Sequence, residues 1–422
     1  MTNPRVVIVG SGQAGAEVAT ALRAQGFQGT IAIVGDETFV PYSRPPLSKA
    51  YLMGEIERDR LLLRPQLAYD RHDIQVIGRT RVARIDRSAR SLTLHDGREL
   101  GFDHLVLATG GRPRPLGHPT LDVAPNVHYL RTIGDADRLR DAMAAGKRLV
   151  VIGGGYIGLE VAAAAVRSGV HVTVLETCDR VLSRVTSAPV SRFYERIHRE
   201  EGVDIRLNVG IEDTVLHHDG SVAAIRLRDG ELLPLDLVLV GIGLVPNVEL
   251  AHAAGLEVEN GIVVDGCCRT ADAAIFAVGD CSRHPDPVDG RLRRLESVPN
   301  AMEQARMVAS AIVGKPAAYD AVPWFWSDQY DVKLKTVGLM RPTDEAIVRG
   351  DALAGRSFSV FYLREGAVVA ADVTSSAKDF AAARTLVSRR AVVDAELLRD
   401  EATSLKDIAA QLAPATQPDN PP

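Results

Sequence analysis

Short apolar runs that stop at glycine set the pattern of the first half of the chain. Val6-Val7-Ile8-Val9 runs into Gly10-Ser11-Gly12-Gln13-Ala14-Gly15, and apolar positions then recur at helical spacing through Ala16-Glu17-Val18-Ala19-Thr20-Ala21-Leu22. A second apolar run, Thr30-Ile31-Ala32-Ile33-Val34, ends at Gly35-Asp36. The order predicted is strand, tight turn, helix, strand, acid. The same order returns later. Arg148-Leu149-Val150-Val151-Ile152 enters Gly153-Gly154-Gly155-Tyr156-Ile157-Gly158, residues 159–166 continue as an apolar helix, and Val170-His171-Val172-Thr173-Val174-Leu175 ends at Glu176.

The rest of the pattern is shorter in wavelength. Segments 75–77, 82–85 and 91–94 read as alternating strands before the Asp96-Gly97 turn, and 207–233 as another small set with turns at Asp219-Gly220 and Asp229-Gly230. Leu105-Val106-Leu107-Ala108 ends in Thr109-Gly110-Gly111-Arg112-Pro113, a break that reads as a domain boundary, and 235–247 mirrors it as the return crossing. Ala274-Ile275-Phe276-Ala277-Val278 ends in Gly279-Asp280. Ser297-Val298-Pro299-Asn300 then opens a helix over 301–309, with a polar cap and an early proline. From Trp324 the texture changes to an aromatic cluster, short strands over 333–337, 345–348, 357–362 and 368–371, and helices over 378–388 and 405–412. The predicted domains are 1–112 joined to 244–322, an inserted 113–243, and 323–413. The polar, proline-rich 414–422 is expected to be a disordered tail.

Chemistry enters with the repeated glycines. In Gly-x-Gly-x-x-Gly after a strand, Gly10 allows the tight turn, Gly12 lets backbone approach a pyrophosphate, and Gly15 lets helix pack on strand. The helix N-terminus then meets the phosphate with free N–H groups and the positive end of its dipole. Asp36 is placed for an adenosine ribose. Gly153, Gly155 and Gly158 repeat the device, and Glu176 suits a free ribose 2′-hydroxyl and repels a 2′-phosphate, with Arg180 and Arg184 just downstream as a possible counterweight. Two complete units imply two dinucleotides. Asp280 reads either as a ligand for a sugar-alcohol hydroxyl or as a turn cap. Pro45-Pro46-Leu47-Ser48-Lys49 is stiffened by its prolines, and Lys49 reads either as a held side chain or as a surface lysine opening a helix. Glu160 on residues alone is a helix-surface glutamate.

Composition removes several classes. With 46% hydrophobic and 24% charged residues, the chain is a globular type with no apolar run of membrane-spanning length. A net charge of −5 gives no support to nucleic-acid binding. Cys178, Cys267, Cys268 and Cys281 form no C-x-x-C pair and no disulfide framework, so reduced thiols and a cytoplasmic setting are expected. No metal site is expected.

Pro45-Pro46-Leu47-Ser48-Lys49, Ala108-Thr109-Gly110-Gly111-Arg112-Pro113-Arg114, Val151-Ile152-Gly153-Gly154-Gly155-Tyr156-Ile157-Gly158-Leu159-Glu160, Ala277-Val278-Gly279-Asp280-Cys281, Glu296-Ser297-Val298-Pro299-Asn300 and Trp324-Phe325-Trp326-Ser327-Asp328-Gln329-Tyr330 resemble the putidaredoxin reductase family. These are FAD-dependent ferredoxin reductases with a glutathione reductase-like fold, and the resemblance covers essentially the whole chain. It implies an α/β fold class: two Rossmann-like three-layer dinucleotide-binding domains, one for FAD and one for NAD, plus a C-terminal α+β domain. It implies hydride transfer from NADH to flavin N5, then single electrons to a two-iron two-sulfur ferredoxin serving a haem monooxygenase.

By the same resemblance Gly10, Gly12, Ala14, Gly15, Asp36, Lys49, Val82, Arg131, Gly279, Asp280 and Val298 fall at flavin-contact positions. Gly153, Gly155, Gly158 and Glu176 fall at NAD positions. Lys49 and Glu160 are expected to meet beside N5, and Trp326 to lie between flavin and partner unless it is simply a core aromatic. The acidic redoxins of this family imply a basic docking face, for which Arg64, Arg306, Lys335 and Lys406 are the candidates. A monomer or weak dimer is expected. Alternatives are the reductase of a ring-hydroxylating dioxygenase or rubredoxin system, an NADH-dependent peroxide or disulfide reductase, and a flavin-bound NADH sensor like apoptosis-inducing factor. The region just after Asp36, where such enzymes need a redox cysteine beside the flavin, holds none, which argues against the peroxide and disulfide reading.

Overall fold

A computed structural model describes residues 3–411. The chain divides into two compact units. Among the described residues, the first comprises 3–44, Glu57–Arg112 and Leu244–Ala321, and the second Pro45–Ile56, Pro113–Gly243 and 322–411.

The first unit is built on an all-parallel sheet. Its strand order is Ile275–Ala277, His104–Leu107, Arg5–Val9, Thr30–Val34 and Ile74–Ile77. Such a sheet is covered on both faces, which is why Val6-Val7-Ile8-Val9 is an unbroken apolar run and is buried throughout. The helices Gln13–Ala24 and Val298–Ile312 supply Val18, Leu22, Ala305 and Val308 to this core. The strands Val82–Asp86, Ser91–Leu94 and Glu99–Gly101 form a separate antiparallel sheet. The alternating region that begins at Ile74 therefore splits in two. Its first strand follows the helix Gln66–Arg71, a crossover that returns it parallel to Thr30–Val34.

The second unit repeats the plan. Its parallel sheet runs Asp204–Arg206, His171–Leu175, Arg148–Ile152, Leu237–Val240 and Val127–His128, again with the glycine-fed strand in the middle. The strands Ile211–Leu216, Val222–Leu227 and Leu232–Pro234 form its own antiparallel sheet. The helices Ile133–Ala142 and Ala188–Glu200 are further elements; Thr132 and Asp135 close a capping box at the start of the former.

The aromatic cluster is the edge strand Trp324–Gln329 of a five-stranded antiparallel sheet, continued by Val332–Gly338, Ala367–Thr374, Phe358–Arg364 and Glu345–Gly350. One face, with Val337, Ile347, Phe361 and Val373, packs on the helices Ala377–Ser388, Ala395–Arg399 and Leu405–Gln411. The other face, with Leu334, Phe358, Val360 and Tyr362, shares a core with Phe193 and Tyr194 of the helix Ala188–Glu200. Period-two alternation across a doubly covered sheet thus ties 113–243 to the C-terminal residues. Among the described residues no helix is long and apolar enough to cross a membrane. The tail 414–422 lies outside the described residues.

Candidate functional site

The two glycine turns are built alike. Gly10 N donates to Val34 O and Gly153 N to Leu175 O, both at 2.8 Å, so each turn closes against the end of the neighbouring strand. Gly10 at φ +121° and Gly153 at φ +106° occupy backbone space that a side chain rarely enters. A Cβ on Gly15 would stand 2.0 Å from Gly10 O, and one on Gly158 2.2 Å from Gly153 O. These two glycines let each helix lie against its own turn. The middle glycines do something else. A Cβ on Gly12 meets nothing within 4 Å, and one on Gly155 meets only Gly241 O at 3.9 Å. Each is the N-cap of its helix, and neither helix receives a side-chain cap there. Open space thus lies before helix N-termini whose first amides point outward.

Around the first turn, Ala14 is buried and its Cβ is 3.1 Å from the Cβ position of Gly279. Asp36 is exposed and pairs with Arg81 at 2.9 Å, beside Val82 at the start of its strand. The Gly279-Asp280 turn is fastened from behind. Gln304 Oε1 accepts from Gly279 N at 2.7 Å and from Ser282 Oγ at 2.9 Å, while Gln304 Nε2 is buried with no protein partner. The helix Val298–Ile312 is capped by Ser297, whose hydroxyl accepts from Asn300 N. Arg44 binds Glu37 at 2.5 Å and Tyr42 Oη at 2.9 Å. Burial works against its charge, but Tyr42, Glu37 and the nearby Asp280 outweigh it and raise the guanidinium above its ordinary range. Sequence reasoning missed Gln304 and Arg44. For Gln304 a signal exists: Asn300 and Gln304 are polar at i and i+4 on the face that should be apolar.

In the second turn Glu176 is held by backbone. Its Oε2 accepts from Gly154 N at 2.7 Å and its Oε1 from Cys178 N at 2.9 Å. Arg180 is engaged elsewhere, donating to Thr186 O and Ser191 Oγ at 2.8 Å and to Ser183 O at 3.0 Å. Arg131 lies just before the helix Ile133–Ala142, with its amide donating to Asp135 Oδ2 at 3.1 Å.

Lys49 and Glu160 meet. The segment Pro45–Ile56 folds into the second unit, where Leu52 enters the core and Tyr51 Oη donates to Asp137 at 2.7 Å. Lys49 Nζ is 2.5 Å from Glu160 Oε2, and Ser48 Oγ donates to the same oxygen at 2.5 Å. Ser327 Oγ donates to Oε1 at 2.6 Å. Glu160 is therefore no surface residue; it is buried at 3% exposure and receives three donors. A carboxylate lacking these partners would be expensive to bury.

Along the strand Trp324–Gln329, Ser327 and Gln329 turn to the Glu160 side. Phe325 shares that side and stacks on Tyr156 at 4.6 Å. Trp326 is on the other face, half-buried, 5.6 Å from the Trp324 ring and paired in register with Lys335. Of the basic candidates, Arg64 and Arg306 belong to the first unit and Lys335 and Lys406 to the second. Arg306 is exposed and pairs with Glu303 at 2.7 Å. Lys335 lies 5.1 Å over the Phe380 ring, and Lys406 is exposed. All four cysteines are free thiols. Cys281 and Cys268 are buried, and burial pushes both thiols up, away from the reactive thiolate.

Residues 4–305 match the family model described as pyridine nucleotide-disulphide oxidoreductase. The chain belongs to that family. Residues 324–409 match a second model, the reductase C-terminal domain. The chain is 50% identical over 411 residues to a putidaredoxin reductase of Pseudomonas putida, covering 97% of each protein. It is 45% identical over 401 residues to a rhodocoxin reductase of Rhodococcus erythropolis, covering 95% of this chain and 93% of the relative. Among solved structures, a crystal structure of a covalent putidaredoxin reductase–putidaredoxin complex superimposes with a TM-score of 0.94, covering 97% of this chain and 99% of that one at 50% identity. The chain is thus an FAD-dependent oxidoreductase of the ferredoxin-reductase branch that uses NAD(H). Its residues fit those groups. Both helix N-termini are open and lack side-chain caps, and the orphaned Gln304 Nε2 lies on the helix behind the Gly279-Asp280 turn.

Proposed function

We propose that this chain is an NADH-dependent ferredoxin reductase that delivers electrons singly to an acidic two-iron two-sulfur redoxin serving a haem monooxygenase. The observation that carries this reading is the combination of two matched dinucleotide cradles with the Lys49–Glu160 ion pair, its carboxylate buried. The rhodocoxin reductase and the putidaredoxin reductase complex, whose names specify redoxin partners, support it. Bound FAD supplies acceptance of a hydride and release of electrons one at a time.

Each residue then has a task. Gly10, Gly12, Ala14 and Gly15 face the FAD pyrophosphate, Gly10 by shaping the turn, Asp36 takes the adenosine ribose, and Val82 meets the adenine. Gly279 and Asp280 hold the ribityl chain. Val298 opens a helix whose positive end favours negative charge on the flavin ring, with Arg131 a further contact. Gly153, Gly155 and Gly158 receive NADH. Lys49 supplies positive charge for the hydride-transfer step, and Glu160 keeps it paired. Trp326 serves the electron path to the redoxin. Arg64, Arg306, Lys335 and Lys406 contribute to the docking face.

The test uses the purified protein with NADH and an acidic two-iron ferredoxin. The protein is expected to be yellow, to bleach with NADH without added thiol, and to reduce the ferredoxin at a rate that falls with added salt. A colourless protein that does not take up FAD sinks the reading. Salt-independent ferredoxin reduction removes the basic face.

Glu176 decides the nucleotide. Its two oxygens are already oriented by Gly154 N and Cys178 N, and Arg180 is tied away from any 2′-phosphate. Glu176→Gln keeps one acceptor and removes the charge. It is expected to narrow the kcat/KM preference for NADH over NADPH by about tenfold, the effect of removing about 1.4 kcal/mol of like-charge repulsion at a partly exposed site. An unchanged ratio contradicts the assignment.

A further inference from the structure

Beyond Glu160 the hydrogen bonds continue in one direction. Ser327 has one hydroxyl proton, and Glu160 Oε1 takes it at 2.6 Å. Ser327 must then accept, and Gln329 Nε2 donates to it at 3.0 Å. That orients the Gln329 amide so that its Oε1 faces His198 Nε2 at 2.8 Å, which makes Nε2 the protonated nitrogen. His198 Nδ1 is left to accept from Tyr330 Oη at 3.0 Å. Ser327, Gln329 and His198 are each at most 1% exposed. Burial lowers the imidazole to about 4, so His198 stays neutral and carries a single proton. The same carboxylate takes Ser48 and Lys49 on its other oxygen.

We propose that Ser327, Gln329 and His198 are positioning residues of the reaction: a one-way relay of hydrogen bonds from the helix Ala188–Glu200 and the C-terminal sheet that holds the Glu160 carboxylate against Lys49. Nothing in the sequence links His198 to Glu160; the shared core between that sheet and that helix does. The relay does not conduct protons, because the Gln329 amide interrupts it. Its output is geometry. One oxygen of Glu160 is pinned from the side away from Lys49, so the other keeps a constant distance to the ammonium. This inference rests on the proposed role of the Lys49–Glu160 pair.

The experiment compares the FAD-loaded wild type with Ser327→Ala, Ser327→Thr and Glu160→Ala by two readouts. The first is the nitrogen-15 spectrum of the histidine rings, with the His198 signals assigned by their loss in His198→Gln. The wild type is expected to show a neutral ring protonated at Nε2. Ser327→Ala frees the Gln329 amide to turn and mixes the two tautomers, whereas Ser327→Thr restores the single one. The second readout is single-turnover reduction by NADH. It is expected to slow about tenfold in Ser327→Ala at unchanged NADH affinity and to recover in Ser327→Thr. Gln329→Leu cuts the relay one link further out and serves as a second variant. A wild-type tautomer in Ser327→Ala overturns the relay. So does an unchanged rate in Ser327→Ala when Glu160→Ala is slow. An unchanged rate in both overturns the Lys49–Glu160 reading and takes the relay's function with it.

Discussion

In the Glu160→Ala protein, NADH is expected to bleach the flavin about a hundredfold more slowly than in the wild type, on the order of 2.7 kcal/mol of barrier. FAD itself should remain bound, because the cradle proposed for it, around Gly12, is made by other residues. The size of the effect follows from what the carboxylate holds. Lys49 Nζ sits 2.5 Å from it, and the remaining neighbours of the ammonium are Pro45 O at 3.2 Å and Ser48 Oγ at 3.4 Å. Without Glu160 the lysine loses its counter-charge and the longest-reaching constraint on its direction, and two serine hydroxyls lose their acceptor. Removing one partner of a buried ion pair costs roughly 3–5 kcal/mol. The lysine side chain keeps 17% exposure, so the lower end applies and the melting temperature should fall by several degrees. Glu160→Gln retains an acceptor and should lose less stability while still losing rate. Stopped-flow flavin absorbance and thermal unfolding separate the two effects. A wild-type bleaching rate in Glu160→Ala removes this pair from the reaction.

A second large effect is expected from placing a carboxylate in each open cradle. Gly12 has φ −90° and Gly155 φ −83°, values open to any residue, and an added Cβ at neither position clashes with the protein. Gly12→Asp therefore folds, and its side chain can cap the bare helix end, a change worth about a few tenths of a kcal/mol over glycine. The same carboxylate stands where the proposed assignment puts the pyrophosphate, and opposes it by charge. The variant should purify colourless, bind FAD at least about a hundredfold more weakly, and yet melt no lower than wild-type protein stripped of FAD. Gly155→Asp should stay yellow and show a KM for NADH raised by a similar factor. The pair of outcomes assigns each cradle independently. A yellow Gly12→Asp protein, or loss of FAD in Gly155→Asp, reverses the assignment.

Local rules read much of this protein directly from its sequence. An apolar strand meeting Gly-x-Gly-x-x-Gly, a helix and an acid are neighbours in the chain, so their order alone specifies the turns at Gly10 and Gly153 and the acids Asp36 and Glu176. The repeat of that unit implied two dinucleotides, and the aromatic onset at Trp324 marked a change of architecture. What lay beyond reach depends on contacts between distant segments. Glu160 sits on a helix whose own pattern gives no reason to bury a charge; only the family resemblance anticipated Lys49 as its partner, and the excursion Pro45–Ile56 and the strand Trp324–Gln329 add Ser48 and Ser327. Gln304 behind the Gly279-Asp280 turn, the commitment of Arg180 to backbone carbonyls, and the direction imposed on His198 are of the same kind. Backbone turns are decided by steric limits within a few residues. A buried charge is decided by its partners, and those are assigned only when the chain has closed on itself.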